Sequence, residues 1–457
     1  MSDNVKRLSG AAIPKIPVPA QIPSMAYSSK ITRYALVGTG ARSFMFSDAI
    51  LNLHKQTSRL VALCDPNPVR MDFHNRQYAL KYKAKPVPKY LSSDFDRMIA
   101  EQKPHVVIVT SVDRTHHEYI IRAMELGCDV ITEKPMTTDI AKCRAILDAV
   151  EHTGRKLRVS FNYRYSPARS KVKELLMQGA IGKVLSVHFE WLLDTRHGAD
   201  YFRRWHRDKI NSGGLMVHKS THHFDLVNWW LDSTPETVFG LGNLGFYGKA
   251  NAEPRGDYRP YWRATGDPAS QGDPFALDLR EDKGLEALYF KAEKVDGYLR
   301  DQNVFGEGIS IEDTMNLAVR YKNGAQLSYS LTAYAPWEGY RIAFNGTRGR
   351  LELDEMENSY VAAGNSHIGD GLSQSRRLMV FPHWEKPYNV EVAEGKGGHG
   401  GGDLLLLEDL FGSRKRKDPL GRAAGHVDGA RSILTGIAAN QSFATGLPVR
   451  TDDLLRL

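Results

Sequence analysis

From Arg33 to about Asn162 the chain alternates short, unbroken apolar runs with stretches of helical period. The runs are Tyr34–Val37, Leu60–Cys64, His105–Thr110, Asp129–Thr132 and Leu157–Phe161. Between the later runs the spacing predicts helices over His117–Leu126, ended by Gly127, and over Asp139–Glu151, ended near Gly154. A strand that is apolar at every position has no face for water, so both sides of its sheet must be covered. Strands of that kind separated by helices imply an α/β architecture with a parallel sheet. Such sheets take ligands beyond the carboxyl ends of their strands, so the loops after each run are the places to look for chemistry.

The loop after the first run reads Gly38-Thr39-Gly40-Ala41-Arg42-Ser43. Two glycines let the backbone bend tightly and approach a diphosphate, whose charge sits at the N-terminus of the following helix. Ser43 stands where a third glycine is usual. Asp65 ends the second run; a carboxylate there accepts from ribose hydroxyls and disfavours a 2′-phosphate, which points to NAD rather than NADP. The lesser alternative for Asp65 is a cap on the helix that begins near Pro66. Thr110 ends the third run, followed by Ser111-Val112-Asp113-Arg114-Thr115-His116-His117, in which His116 either faces a cofactor or simply starts a helix. The fourth run ends in Glu133-Lys134-Pro135. A lysine at a strand end before a proline, which restricts it to extended geometry, has a defined direction. The cofactor-binding candidates are therefore Gly38, Gly40, Ala41, Arg42, Ser43, Asp65, Thr110, His116, Glu133, Lys134 and Asn162.

After Tyr165 the pattern changes. A helix is expected over Ala168–Met177 and another over Phe224–Leu231. Val184–Trp191 fits an open-faced antiparallel strand, and further strands are expected at Met315–Tyr321, Ala325–Tyr334, Tyr340–Asn345 and Arg350–Leu353. Asn323-Gly324 marks a hairpin between the first two of those four. The second half is thus α+β on a largely antiparallel, open sheet. The chain divides into an extended arm (1–30, broken by prolines), a dinucleotide-binding domain (31–160) and a substrate and oligomerisation domain (161–457). The last carries an insertion at about 247–308 whose aromatics suggest an ordered lid.

His218-Lys219-Ser220-Thr221-His222-His223-Phe224-Asp225 follows Gly213-Gly214 and concentrates titratable groups. His218 and His222 at i, i+4 would share a helical face. That spacing suits zinc, but no third ligand is evident, and acid–base work on a hydroxyl fits better. Asp225 would orient a histidine or stabilise a helix start. Tyr163 and Arg164 in Asn162-Tyr163-Arg164-Tyr165 should border the same cleft. Arg196, Tyr201, Trp205 and His206 are sugar- or anion-binding types, and His399-Gly400-Gly401-Gly402-Asp403 suits close approach to a ligand.

Bulk properties exclude several classes. With 42% hydrophobic and 25% charged residues the composition is that of a soluble globular protein. No apolar run reaches the roughly 18 residues of a membrane span, and no signal core precedes the first strand. A cytoplasmic location is expected. Cys64, Cys128 and Cys143 lack metal spacing and read as buried thiols in a reducing compartment. The net charge of +8 is scattered. Its one tight run, Arg414-Lys415-Arg416-Lys417, reads as a solvated loop rather than a nucleic-acid patch.

Taken together these residues resemble the Gfo/Idh/MocA family of nicotinamide-dependent sugar oxidoreductases, from Ile31 to the C-terminus. The resemblance rests on Gly38-x-Gly40, Asp65, Glu133-Lys134-Pro135, Gly213-Gly214 before the histidines, and Asn345-Gly346-Thr347-x-Gly349-Arg350-Leu351-Glu352. It implies a Rossmann domain, NAD, a carbohydrate substrate, and homodimers or homotetramers through the open sheet. It further implies that Lys134 and His222 meet the reacting hydroxyl beside the nicotinamide while His218 and Tyr163 hold the sugar. One position departs: many members carry Asp where this chain has His218. That departure, the insertion and the His399 loop resemble the branch of NAD-dependent glycosidases, one subgroup of which accepts sulfoquinovosides, and the basic residues here would suit an anionic sugar. The expected function is hydride abstraction from a carbohydrate carbon, often C3. The alternatives are redox-neutral glycoside cleavage and a non-catalytic NAD(H)-binding regulator.

Overall fold

The computed structural model describes residues 31–361, 375–395, 397–412 and 417–457. The N-terminal arm and Arg414-Lys415-Arg416 lie outside the described residues. The first sheet contains β1 (Thr32–Val37), β2 (Ser58–Cys64), β3 (Lys89–Tyr90), β4 (Val106–Val109), β5 (Asp129–Thr132) and β6 (Leu157–Val159), in the order β3-β2-β1-β4-β5-β6. Every neighbouring pair is parallel. The order reverses between β1 and β4, so the loops after those two strands open a crevice at the carboxyl edge. The apolar runs became strands as expected, whereas β3, at two residues, carries no run long enough to announce itself.

The second sheet follows: β7 (Val184–Asp194), β8 (Pro235–Asn243), β9 (Thr314–Tyr321), β10 (Gln326–Ala335), β11 (Glu338–Gly346), β12 (Gly349–Asn358), β13 (Ser375–Pro382), β14 (Tyr388–Asn389) and β15 (Val449–Arg450), ordered β14-β13-β12-β11-β7-β10-β9-β8-β15. Asn323-Gly324 does turn β9 into β10. The expectation for Val184–Trp191 needs correcting: β7 is antiparallel to β11 but parallel to β10. The long chain between β7 and β10, with its helices and the insertion, supplies the crossover that a parallel pair requires. Burial alternates along β9 and β10, leaving one face of the sheet open. The other face packs Trp191, Phe189 and Tyr329 against helices Pro167–Met177 and Thr221–Leu231.

The two halves share core. Leu406, Leu407, Leu410 and Phe411, from helix Gly402–Phe411, complete one face of the Rossmann sheet. Ala430, Ile433 and Leu434, from helix His426–Thr445, complete the other. The insertion is ordered, with short helices, and Leu279, Leu288 and Tyr289 pack on Phe73 of the Rossmann domain. The three cysteines are free and buried. Among the described residues no helix is long and apolar enough to cross a membrane.

Candidate active site

The glycine turn is held from several sides. At Gly38 (φ +84°) a Cβ would stand 2.5 Å from the Ser111 nitrogen, so only glycine lets the turn lie against the loop after β4. The Thr110 hydroxyl donates to the Gly38 carbonyl at 2.6 Å, and the Ser43 hydroxyl to the Gly40 carbonyl at 2.7 Å. The serine in the third glycine position thus braces the bend. Asp65 is buried, and its carboxylate accepts from the Thr39 amide (2.6 Å), the Thr39 hydroxyl (2.9 Å) and the Asn67 amide (2.8 Å). Those bonds take most of the roughly four acceptor positions of a carboxylate, leaving limited capacity for a ribose hydroxyl. Burial raises its pKa, opposed by the Thr39 amide and Arg70.

The Ala41 N–H donates to the Tyr289 hydroxyl of the insertion at 2.9 Å. An oxygen therefore already meets the helix-start amide where a dinucleotide would place one, and the turn fits a diphosphate. His116 begins helix His116–Glu125, the second of its two readings. Its two ring nitrogens lie 2.9 Å from the Pro135 carbonyl and 3.0 Å from the Ser111 carbonyl, and burial lowers its pKa, so the single N–H of the neutral ring donates to one of these two loops.

Lys134 leaves the end of β5 half-buried, and its Nζ donates to the His218 carbonyl at 3.0 Å. Burial lowers its pKa to about 8, with Asp113 and Glu133 pulling upward and Lys219 and Arg42 downward. Asp113, from the loop after β4, receives His218 Nδ1 at 2.5 Å. Burial drives Asp113 up, opposed mainly by Lys134, and drives the His218 imidazole well down. Glu133 is engaged by Arg42 (Nε to Oε1, 2.5 Å) and by the Lys134 amide (3.0 Å).

His218 and His222 do not share one helical face. Helix Gly214–His218 ends before Lys219-Ser220, whose turn sends the Ser220 amide back to the Leu215 carbonyl, and Thr221–Leu231 starts afresh. His222 then stacks on Tyr163, centroids 4.1 Å apart and planes 9° apart. Its Nδ1 is buried without a protein partner, and burial followed by Lys134 holds the ring far below its usual pKa, hence neutral. The Tyr163 hydroxyl accepts from Lys219 Nζ at 3.2 Å, and that ammonium also lies 4.8 Å from the Trp191 ring centroid.

His399 approaches the same rings, 5.7 Å from Tyr163 and 6.3 Å from His222. Its Nδ1 is 2.9 Å from Asp403, which also accepts from Asn162 Nδ2 at 2.6 Å. The small residues of this loop serve contact with protein rather than ligand, since a Cβ on Gly402 would lie 2.2 Å from the Asn162 carbonyl. Tyr201, Trp205 and His206 gather around His218, with ring centroids 5.5, 5.8 and 4.3 Å away.

Arg164 is not a substrate contact. Its guanidinium is buried and donates to Asp225 (2.7 and 2.6 Å) and Asp428 (2.9 Å). Asp225, accordingly, orients no histidine. Arg196 begins helix Thr195–Arg203, its amide donating to Asp194. Asp113 and Lys219 also belong to the site, although the sequence pattern assigns neither a role. The place of Asp113 in the loop at the carboxyl edge after β4 is the available signal; nothing local marks Lys219. Among the described residues no group of His, Cys, Asp or Glu is arranged to hold a metal ion.

A dinucleotide turn at one carboxyl edge, with a strand-end lysine of the same sheet and histidines from a second domain with an open sheet, defines a two-domain nicotinamide-dependent oxidoreductase. Residues 32–161 match the NAD-binding Rossmann fold of the oxidoreductase family Gfo/Idh/MocA, and residues 173–451 match that family's C-terminal alpha/beta domain. The chain belongs to this family, and its cofactor is NAD. It is 38% identical over 441 residues to a Bacillus subtilis (strain 168) protein named YteT, covering 92% of this chain and 98% of that one. It is 34% identical over 201 residues to inositol 2-dehydrogenase of Gluconacetobacter diazotrophicus, covering 43% of this chain and 53% of that one. The fold is that of the aldose-aldose oxidoreductase of Caulobacter crescentus complexed with glycerol, at TM-score 0.59 and 18% identity over 92% of this chain and all of that one.

Proposed function

We propose that the protein oxidises a secondary hydroxyl of a sugar or glycoside, at C3, with NAD as acceptor. The observation that carries this reading is Lys134: a strand-end ammonium, half-buried, lowered to about 8, beside the Asp113–His218 pair and within the field of His222. NAD, when bound, accepts the hydride from the carbinol carbon. The free amine of Lys134 accepts the hydroxyl proton, which neutralises the alcohol oxygen's developing charge as the carbonyl forms. Neutral His222, with an unpartnered nitrogen, holds that oxygen. His218, fixed through Nδ1 by Asp113, and Tyr163, fixed by Lys219, orient the remaining hydroxyls. Burial of these groups excludes water and strengthens each contact. The substrate class is supported by the inositol 2-dehydrogenase relatives.

A second reading is favoured by His399-Asp403. A second histidine–carboxylate pair beside Tyr163 and His222 offers the extra acid/base that redox-neutral glycoside cleavage requires. There, transient oxidation at C3 acidifies the C2–H, the aglycone leaves with a proton, water adds, and the hydride returns. Incubating the purified protein with polyols and aryl glycosides, while following NADH absorbance and released aglycone, separates the readings. Stoichiometric NADH with an intact glycosidic bond supports the dehydrogenase; aglycone without NADH supports the glycosidase; neither product from any substrate supports a regulator. For the quaternary structure we take the open face of the second sheet as the self-association surface. It carries a groove of about 600 Å³, lined in part by Leu241, which is 64% exposed.

A further inference from the structure

We infer that Tyr289 and Arg300, both on the insertion, are ligands of the cofactor's diphosphate, so that the insertion closes across the dinucleotide as a strap. This rests on the dinucleotide lying at the glycine turn. There the Ala41 N–H meets the Tyr289 hydroxyl, and a hydroxyl that accepts one hydrogen bond still has its own proton to donate to a phosphate oxygen. A Cβ on Gly40 would stand 3.6 Å from that hydroxyl, so Tyr289 lies within contact range of the glycine turn.

The Arg300 guanidinium lies over the Tyr289 ring, 4.6 Å from its centroid. Its Nε and Nη1 are buried without a partner. The carboxylate near it, Asp200, is 3.7 Å away and is bound at 2.6 Å by Arg204. Two guanidiniums thus share one carboxylate beside a backbone turn shaped for an anion, an arrangement short of negative charge. The strap is fastened on the Rossmann side independently of these two residues. Arg70 pairs with Asp296 at 2.6 Å, Asn67 Nδ2 donates to the Ala292 carbonyl at 2.9 Å, and Leu279 and Leu288 pack on Phe73.

The test is NADH binding and release, read by nucleotide fluorescence on protein stripped of cofactor. Tyr289→Phe keeps the ring under Arg300 and removes only the hydroxyl; Arg300→Gln removes the charge; Arg280→Gln, on an exposed part of the same insertion, is the control. Each of the first two should release NADH about ten-fold faster or more, the loss expected for one hydrogen bond to a charged group. The control should match wild type, and the melting temperature without cofactor should hold in all three. Release at the wild-type rate in both variants would overturn the inference. So would tighter binding by Tyr289→Phe, since the hydroxyl would then be competing for the phosphate position. Gly38→Ala should abolish binding; if it instead bound NADH normally, the cofactor would not use this turn, and that separate failure would remove the premise.

Discussion

The lowered pKa of Lys134 makes a quantitative forecast for the pH dependence of turnover. At the ordinary lysine value of 10.5, about 0.03% of the side chain is free amine at pH 7. At about 8 the fraction is roughly 9% at pH 7 and roughly 91% at pH 9. Burial thus raises the population of competent base about 300-fold at neutrality, and the rate should climb about ten-fold between pH 7 and pH 9. His222 stays neutral across that range, so a limb there belongs to the lysine. Bound NAD⁺ adds a positive charge nearby and moves the limb to lower pH, never higher. Asp113 is the foremost group pulling Lys134 upward, so Asp113→Asn should move the limb down. Lys134→Ala should lose about 10²–10⁴-fold in kcat and lose the limb with it. The assay is kcat/KM for NADH formation from pH 6 to 10 under saturating NAD⁺. A profile flat over the whole range from pH 6 to 10, or an upward shift in Asp113→Asn, would refute Lys134 as the base.

Arg164→Met should cost about 3–5 kcal/mol in urea unfolding by stranding Asp225 in the interior, with KM little changed in whatever protein folds. Asp225 is pushed up to about 7 even with its partner, so without it protonation relieves the buried charge, and the loss should be smaller at pH 5.5 than at pH 8. Asp65→Ala removes three accepted hydrogen bonds from the glycine turn. It should lower stability by about 1–3 kcal/mol and weaken NAD⁺ binding, measured by calorimetry; an unchanged affinity would show that the turn holds its shape without the carboxylate. For the second functional reading, turnover in D₂O should place deuterium at sugar C2 and none at C3, whereas the dehydrogenase reading expects no exchange at C2.

Much of the first domain was legible because a doubly covered strand must be apolar throughout, and that signal needs no partner to be seen. β3 is too short to carry it, and in the second, open sheet β13 begins with Ser375, Arg376 and Arg377 and is not apolar throughout. Lys134 could be read from its strand end. Pairing across the fold could not. Arg164 looked like an anion ligand because Asp225 and Asp428, which neutralise it, lie 61 and 264 residues away. The i, i+4 reading of His218 and His222 failed for a local reason, the turn at Lys219-Ser220, which no proline or glycine announces.

Helix His426–Thr445 has a consequence for how the chain comes to be. Part of the apolar flank of the sheet that begins at Thr32 stays uncovered until that helix has left the ribosome, so closure of the first domain waits for chain far beyond β6. Expressing residues 31–160 alone, as the boundaries read from the sequence would suggest, therefore yields a sheet with sticky sides rather than a nucleotide-binding module. A useful minimal fragment has to bring that helix with it, grafted after β6, where the Val159 amide already donates to the Ala424 carbonyl.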